Sequence, residues 1–194
     1  MPKKEDRRVQ RTHQLLRDAL FSLIQEKGFE VLSVQEIIDR ANVGRATFYA
    51  HFDNKEDLLL SGFDGLRASL RQRQREAHSS SLAAEHRVFA FIHDLLEHIE
   101  AHRHLFRAMA GKRSGAVVQN MVRKLVIDLV RDDLKAMLAQ DDPRSTTVEA
   151  GVEFIAAGLF GMLVWWLDGK RRVTVEELAA LFRRFAIPAA KATL

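Results

Sequence analysis

The chain has 194 residues, of which 47% are hydrophobic and 29% charged, a balance that supports a packed core and argues against disorder. It contains no cysteine, which excludes a disulfide scaffold, a thiolate metal site and a cysteine nucleophile. A formal charge of +4 is a mild pull toward a polyanion that ordinary solvated surface explains equally well.

The N-terminus, Met1-Pro2-Lys3-Lys4-Glu5-Asp6-Arg7-Arg8, is basic but has no apolar run behind it, so it does not read as a secretory leader. From there apolar residues recur at helical spacing, and no useful length alternates with period two. Val9, Leu16, Leu20, Leu23 and Ile24 form the first stripe, and Gly28 marks its stop. Ser33-Val34-Gln35-Glu36 is a capping box with Leu32 and Ile37 at the staple positions. It opens a short helix, Val34 to Ala41, followed by Asn42-Val43-Gly44 and a second short helix from about Arg45 to His51. Leu59, Phe63, Leu66 and Leu70 predict one long helix, with a loop at His78-Ser79-Ser80-Ser81. Val88, Phe91, Ile92, Leu95 and Ile99 make the next stripe, Gly111 a further stop, and Val118, Met121, Leu125, Leu129 and Val130 another stripe. After the Asp142-Pro143 break, Thr146-Thr147-Val148-Glu149 reads as a capping box, and Gly169 as a stop. Thr174-Val175-Glu176-Glu177 is a further box, stapled by Val173 and Leu178, opening a helix to Ile187 that carries Leu181, Phe182 and Phe185. The chain reads as all-α with about nine helices.

The informative stretch is Leu32 to Leu60. Two brief helices joined by a tight turn make a helix-turn-helix or an ordinary αα-hairpin. The first turn residue needs a left-handed backbone, which Asn42 tolerates best among residues with a Cβ. Ile37, Ile38, Ala41, Val43 and Phe48 supply the faces that lock the pair. Arg45 can donate two hydrogen bonds to guanine in the major groove, and Thr47 can touch a thymine methyl or a phosphate. Tyr49 and His51 fall where a phosphate would pass. Lys55 opens the next helix after Asn54, where the helix dipole also favours phosphate.

The run from Ser33 to Leu59, above all Thr47-Phe48-Tyr49-Ala50-His51-Phe52 followed by Lys55-Glu56-Asp57-Leu58, closely resembles the TetR/AcrR family of transcriptional regulators. The match is strong over roughly Arg11 to Leu60. Asn42 stands where that family usually has glycine, and Gly44 where it commonly has serine or threonine, so a side-chain cap and one phosphate contact are lost at Gly44. The resemblance implies a homodimer that binds palindromic operator DNA, most often represses, and lets go when a small-molecule effector binds its C-terminal domain. Carried over by position, Arg45, Ala46, Thr47 and Tyr49 would face bases or the adjacent backbone, while Ser33, His51 and Lys55 would hold phosphates. On this reading residues 1–54 form an N-terminal three-helix helix-turn-helix domain and residues 55–194 a helical effector-binding and dimerisation domain. The basic arm of Lys3, Lys4, Arg7, Arg8, Arg11 and Arg17 lies along DNA or is a solvated tail. The run Arg67, Arg71, Arg73 and Arg75 reads as a solvated helix face.

The segment Phe154 to Leu167 has 14 residues without a charge, too few to span a bilayer, and is apolar nearly all round, so every face needs burial. A partner subunit or an internal core would supply it. Ala157, Gly158 and Gly161 allow close helix approach, and with Phe154, Leu181 and Phe185 they form the expected dimer face. Candidate ligand-lining residues are Phe91, Leu95, Phe106, Met109, Met121, Leu125, Phe160 and Trp165, an apolar set of the kind that encloses drug-sized ligands or simply fills a core. Trp165 and Trp166 could hold a cation over a ring.

His98 and His102 share a helical face, but His98-Ile99-Glu100-Ala101-His102 misplaces the carboxylate of the zinc motif, and no metal or cofactor is expected. No phosphate loop, nucleophile elbow or catalytic triad stands out, so an enzyme is not expected. The expectation is a cytoplasmic, membrane-independent DNA-binding regulator. Two alternatives remain: a small-molecule or metal-binding helical protein, enzymes included, or a DNA-binding regulator without a ligand.

Overall fold

The computed structural model describes residues 4–81, 87–110, 115–137, 146–169 and 173–193. Among them there is no strand, and ten helices follow one another: α1 (Lys4–Lys27), α2 (Val34–Ala41), α3 (Arg45–Tyr49), α4 (Lys55–Ser61), α5 (Asp64–His78), α6 (Ile92–Ala101), α7 (Arg103–Ala110), α8 (Gly115–Met137), α9 (Thr146–Leu167) and α10 (Val175–Lys191). The Met109 side chain, Gly111 and the Asp142-Pro143 break lie outside the described residues. The chain divides into two compact units, Met1–Asp64 with His104–Gln119, and Gly65–Arg103 with Asn120–Leu194. Helix α4 groups with the first unit because Leu58 and Leu59 are fully buried and the Phe21 ring packs against Gly62.

In the first unit α1 packs against α2 and α4, and α2 against α3. The stripe Leu16, Ala19, Leu20, Leu23 and Ile24 faces inward, as do Ile37, Ile38 and Ala41 of α2 and Phe48 of α3. Burying one such side chain contributes about 1.5–3 kcal/mol. Polar ties flank this core. Arg40 forks onto Glu26 at 2.7 and 2.9 Å and donates to Ser22 at 3.0 Å. Lys27 reaches Glu36, which closes the capping box through Ser33. Lys27, with the Ser33 amide and hydroxyl, holds the Glu36 carboxyl down at about 2.

The second unit contains α5, α6, α9, α10 and most of α8, with α6 and α9 each packed on α10. Its core includes a carboxylate. Asp133 of α8 is fully buried, accepting from the Phe89 amide at 2.7 Å and facing His78 Nε2 at 2.8 Å. Burial pushes the Asp133 carboxyl up, while the Phe89 amide and His78 oppose the shift. Phe89 has a φ of 56°, an uncommon state for a bulky residue, and Arg183 of α10 donates to its carbonyl at 3.0 Å. These bonds fix a turn that the sequence stripe, drawn from Val88, takes for the start of a helix.

Four further departures have physical causes. The stripe from Leu59 to Leu70 is two helices, broken at Gly62 and Phe63. Thr146 lies inside the first turn of α9, and Glu149 turns away from a capping role to pair with Arg131 at 3.0 Å. Helix α10 runs past Ile187 to Lys191, with Pro188 in its last turns. Helix α9 is 22 residues long, and by length and composition alone it is long and apolar enough to cross a membrane. It buries Val152, Ile155, Ala156, Leu159 and Leu163, but leaves Phe154 70% and Trp165 46% exposed. The all-round burial expected of this segment is therefore not met within one chain.

Candidate nucleic-acid interface

Helix α2 ends because Asn42 adopts φ 50°, ψ 47°, and its N–H turns back to the Asp39 and Ile38 carbonyls. The next two residues reverse the chain, and Gly44 caps α3 in an extended conformation without a side-chain bond. A Cβ at Gly44 would meet only Thr47 Oγ1, at 3.8 Å, so the site has room for the serine or threonine that the family commonly carries there.

One residue anchors α3. Phe48 is fully buried, and its ring packs against Phe52 at 5.9 Å and edge-on to Tyr49 at 5.3 Å. With Phe48 inward, Arg45, Ala46, Thr47 and Tyr49 all point to solvent. Arg45 lies over the Tyr49 ring at 5.7 Å, one helical turn away. Stacking on an aromatic face leaves the guanidinium edge donors free for a planar, bidentate acceptor. The four side chains grouped by the sequence thus form one exposed face.

The residues assigned to phosphates differ among themselves. Ser33 is exposed, and its hydroxyl is engaged with Glu36 in the capping box. His51 is half-buried just beyond α3. Lys55 is turned inward: its ammonium donates to the carbonyls of Phe29 at 3.0 Å, Glu30 at 3.1 Å and Leu32 at 2.8 Å, and lies 4.7 Å from the Phe29 ring. An ammonium has three N–H donors, and all three are used here. Lys55 therefore ties the turn after α1 to the start of α4.

Sequence reading gave no sign of one further residue at this face. His13 of α1 packs its ring 4.8 Å from His51 and 4.8 Å from Phe52. Burial, then His51 and Arg17, push the His13 imidazole below its ordinary value. No local motif links positions so far apart in sequence. The N-terminal arm is helical from Lys4, with Arg7, Arg8 and Arg11 exposed.

The remaining expected residues fall into two groups. Phe154, Ala157, Gly158 and Gly161 share the exposed face of α9, and Phe185 of α10 is 62% exposed with Leu181 half-buried. Between these helices runs a groove of about 210 Å³ lined by Phe154, Ile155, Gly158, Met162, Phe182, Phe185 and Ala186. Trp165, expected among ligand contacts, lies on this same outer face. Trp166 points inward instead, donating to the Val173 carbonyl at 2.9 Å beneath the Arg103 guanidinium. Phe91, Leu95, Phe106 and Leu125 are buried, and Met121 and Phe160 half-buried, with Phe106 in the first unit and the others in the second. The His98 and His102 rings lie 4.5 Å apart, tilted by 33°. A different group, His93, Asp94 and Glu97, brings its ligand-type atoms within 4.8 Å of one another, while Arg73 lies 3.8 Å from Asp94 and Glu176 3.9 Å from His93.

Two family descriptions match this chain: bacterial regulatory proteins of the tetR family over residues 16–61, and a transcriptional regulator C-terminal region over residues 87–187. The chain is 26% identical over 189 residues to the uncharacterized HTH-type transcriptional regulator YxbF of Bacillus subtilis, covering 94% of this chain and 46% of that protein. It spans about half the length of the curated relatives it matches. Among solved structures, a TetR transcriptional regulator from Streptococcus agalactiae superposes with a TM-score of 0.67 at 24% identity, over 94% of this chain and 97% of the other. The Thermus thermophilus FadR, a TetR-family transcriptional repressor in complex with lauroyl-CoA, gives 0.65 at 20% identity over 91% and 94%. At these identities the structures establish a shared fold. The two matched segments include the helix-turn-helix just described and most of the second unit: the chain belongs to the TetR family of DNA-binding bacterial transcriptional regulators.

Proposed function

We propose that this protein is a repressor that binds a palindromic operator as a homodimer and releases it when a small molecule binds. The observation that carries the DNA reading is the outward face of α3, where Arg45, Ala46, Thr47 and Tyr49 are exposed around the buried Phe48. Arg45 reads a guanine edge, Thr47 and Tyr49 touch a base or the neighbouring backbone, and the Gly44 and Ala46 positions allow close approach. His51 and the exposed basic residues of α1 hold phosphates. Ser33 keeps its capping role and Lys55 its role in the scaffold.

The exposed stripe of Phe154, Ala157, Gly158, Gly161 and Trp165, with Phe185 and Leu181, supports the homodimer. Apolar patches of this kind on soluble chains mark protein contacts, and a Cβ added at either glycine would meet nothing within 4 Å in the single chain. Pairing α9 and α10 with their copies would supply the burial that one chain leaves unmet.

The effector would enter among the helices of the second unit, near Phe91, Leu95, Met121, Leu125 and Phe160. The Thermus protein of the same fold holds lauroyl-CoA, so acyl-CoA thioesters are the first candidates. As a regulator of transcription the protein acts in the cytoplasm. A mobility shift on the DNA upstream of the chain's own coding sequence tests the reading. A shifted dimer complex that dissolves on adding effector supports it, and failure to shift any such DNA contradicts it.

A further inference from the structure

We propose that His13 is a positioning residue for DNA binding, acting through His51. This rests on the reading of α3 and His51 as the DNA surface. Helix α1 carries the core stripe that begins at Leu16, and His13 lies one turn before it, half-buried, where α1 passes the end of α3. Its ring meets His51 at 79°, an edge-to-face arrangement, and simultaneously leans on Phe52. Phe52 in turn packs on Phe48, the anchor of α3. A chain of rings thus runs from α1 to the recognition helix, with His51 at its outer end.

A half-buried side chain just beyond the helix end has several rotamers open to it. A ring set against its edge removes most of them, so that the imidazole meets a phosphate without losing further freedom. Aromatic pairs favour this perpendicular setting because the positive edge of one ring meets the negative face of the other. The His13 Nε2 atom is buried with no hydrogen-bond partner. Burial, His51 and Arg17 together disfavour a charge on His13, so near neutral pH it meets His51 as a neutral ring. An orphaned nitrogen weakens the fold. Holding His51 requires only a ring at this place, so a phenyl ring, which leaves no nitrogen unpaired, should hold it and stabilise the fold as well.

The test is a double-mutant cycle on operator affinity, using a labelled duplex of upstream DNA that the wild type shifts, with thermal melts on every variant. His13→Ala should weaken binding by about three- to tenfold, the range expected for one ring pair. His51→Ala should weaken it at least as much, and the double variant should bind no worse than His51→Ala alone. His13→Phe should restore affinity and raise the melting temperature. Multiplicative losses in the double variant, or loss of affinity in a well-folded His13→Phe, would overturn the proposal. So would an unchanged His13→Ala beside a weakened His51→Ala. If neither His51→Ala nor Arg45→Ala changes affinity, the assignment of α3 as the DNA surface fails instead.

Discussion

Replacing Lys55 with methionine separates a scaffold role from a DNA contact. Methionine keeps an unbranched stem over Phe29 but removes all three donors. The Phe29 and Leu32 carbonyls are partly buried, and each loses a charge-assisted bond, at 3.0 and 2.8 Å. The Glu30 carbonyl is exposed and can return to water. Hydrogen bonds to charged groups are worth roughly 1.5–3 kcal/mol each, and bonds sharing one ammonium do not add fully. The expected loss is about 2–3 kcal/mol of stability in the first unit. Urea unfolding followed by circular dichroism measures it, and mobility shifts over a salt series measure the second quantity. A phosphate contact would lower the salt slope by about one on removal. The scaffold role predicts reduced stability with an unchanged slope. Wild-type stability with a slope reduced by one would refute the reasoning.

Arg45→Ala should weaken specific operator binding by about 1–3 kcal/mol while non-specific binding falls far less, as read by competition shifts. His51→Ala should weaken all sequences similarly. Gly158 is exposed and a Cβ added there would meet no atom within 4 Å in one chain, so the monomer fold should tolerate Gly158→Leu, whereas sedimentation should show a dimer weakened by roughly 1–3 kcal/mol through overpacking. The Glu36 carboxyl is lowered from 4.5 to about 2, chiefly by Lys27 and then by Ser33. Its contribution is complete above the unfolded value and is lost as pH falls toward the folded one, so Glu36→Gln should flatten stability against pH in that acid window.

Local signals carried the reading of the first unit. The capping box at Ser33, the left-handed Asn42 and the spacing from Phe48 to Phe52 are set by neighbours in sequence, and the structure places each as its local chemistry demands. Long-range partners were not legible. Lys55 at a helix start reads as a phosphate contact until the carbonyls 23 to 26 positions earlier fold beneath it. His13 and Asp133 likewise take their roles from distant residues, and Glu149 was drawn from a cap to Arg131. The paired tryptophans show the limit of periodicity: helical rotation sends Trp166 inward and Trp165 outward, and composition alone cannot choose between them.

The most direct test of the central claim is footprinting on the operator found upstream of the coding sequence, with and without inserted DNA. A two-fold dimer presents two copies of α3, so the protected sequence should be an inverted repeat with half-site centres about one helical turn, 34–36 Å, apart. Inserting five base pairs turns one half-site by about half a turn and should abolish tight protection. Protection of a single asymmetric site, indifferent to the insertion, would contradict the account.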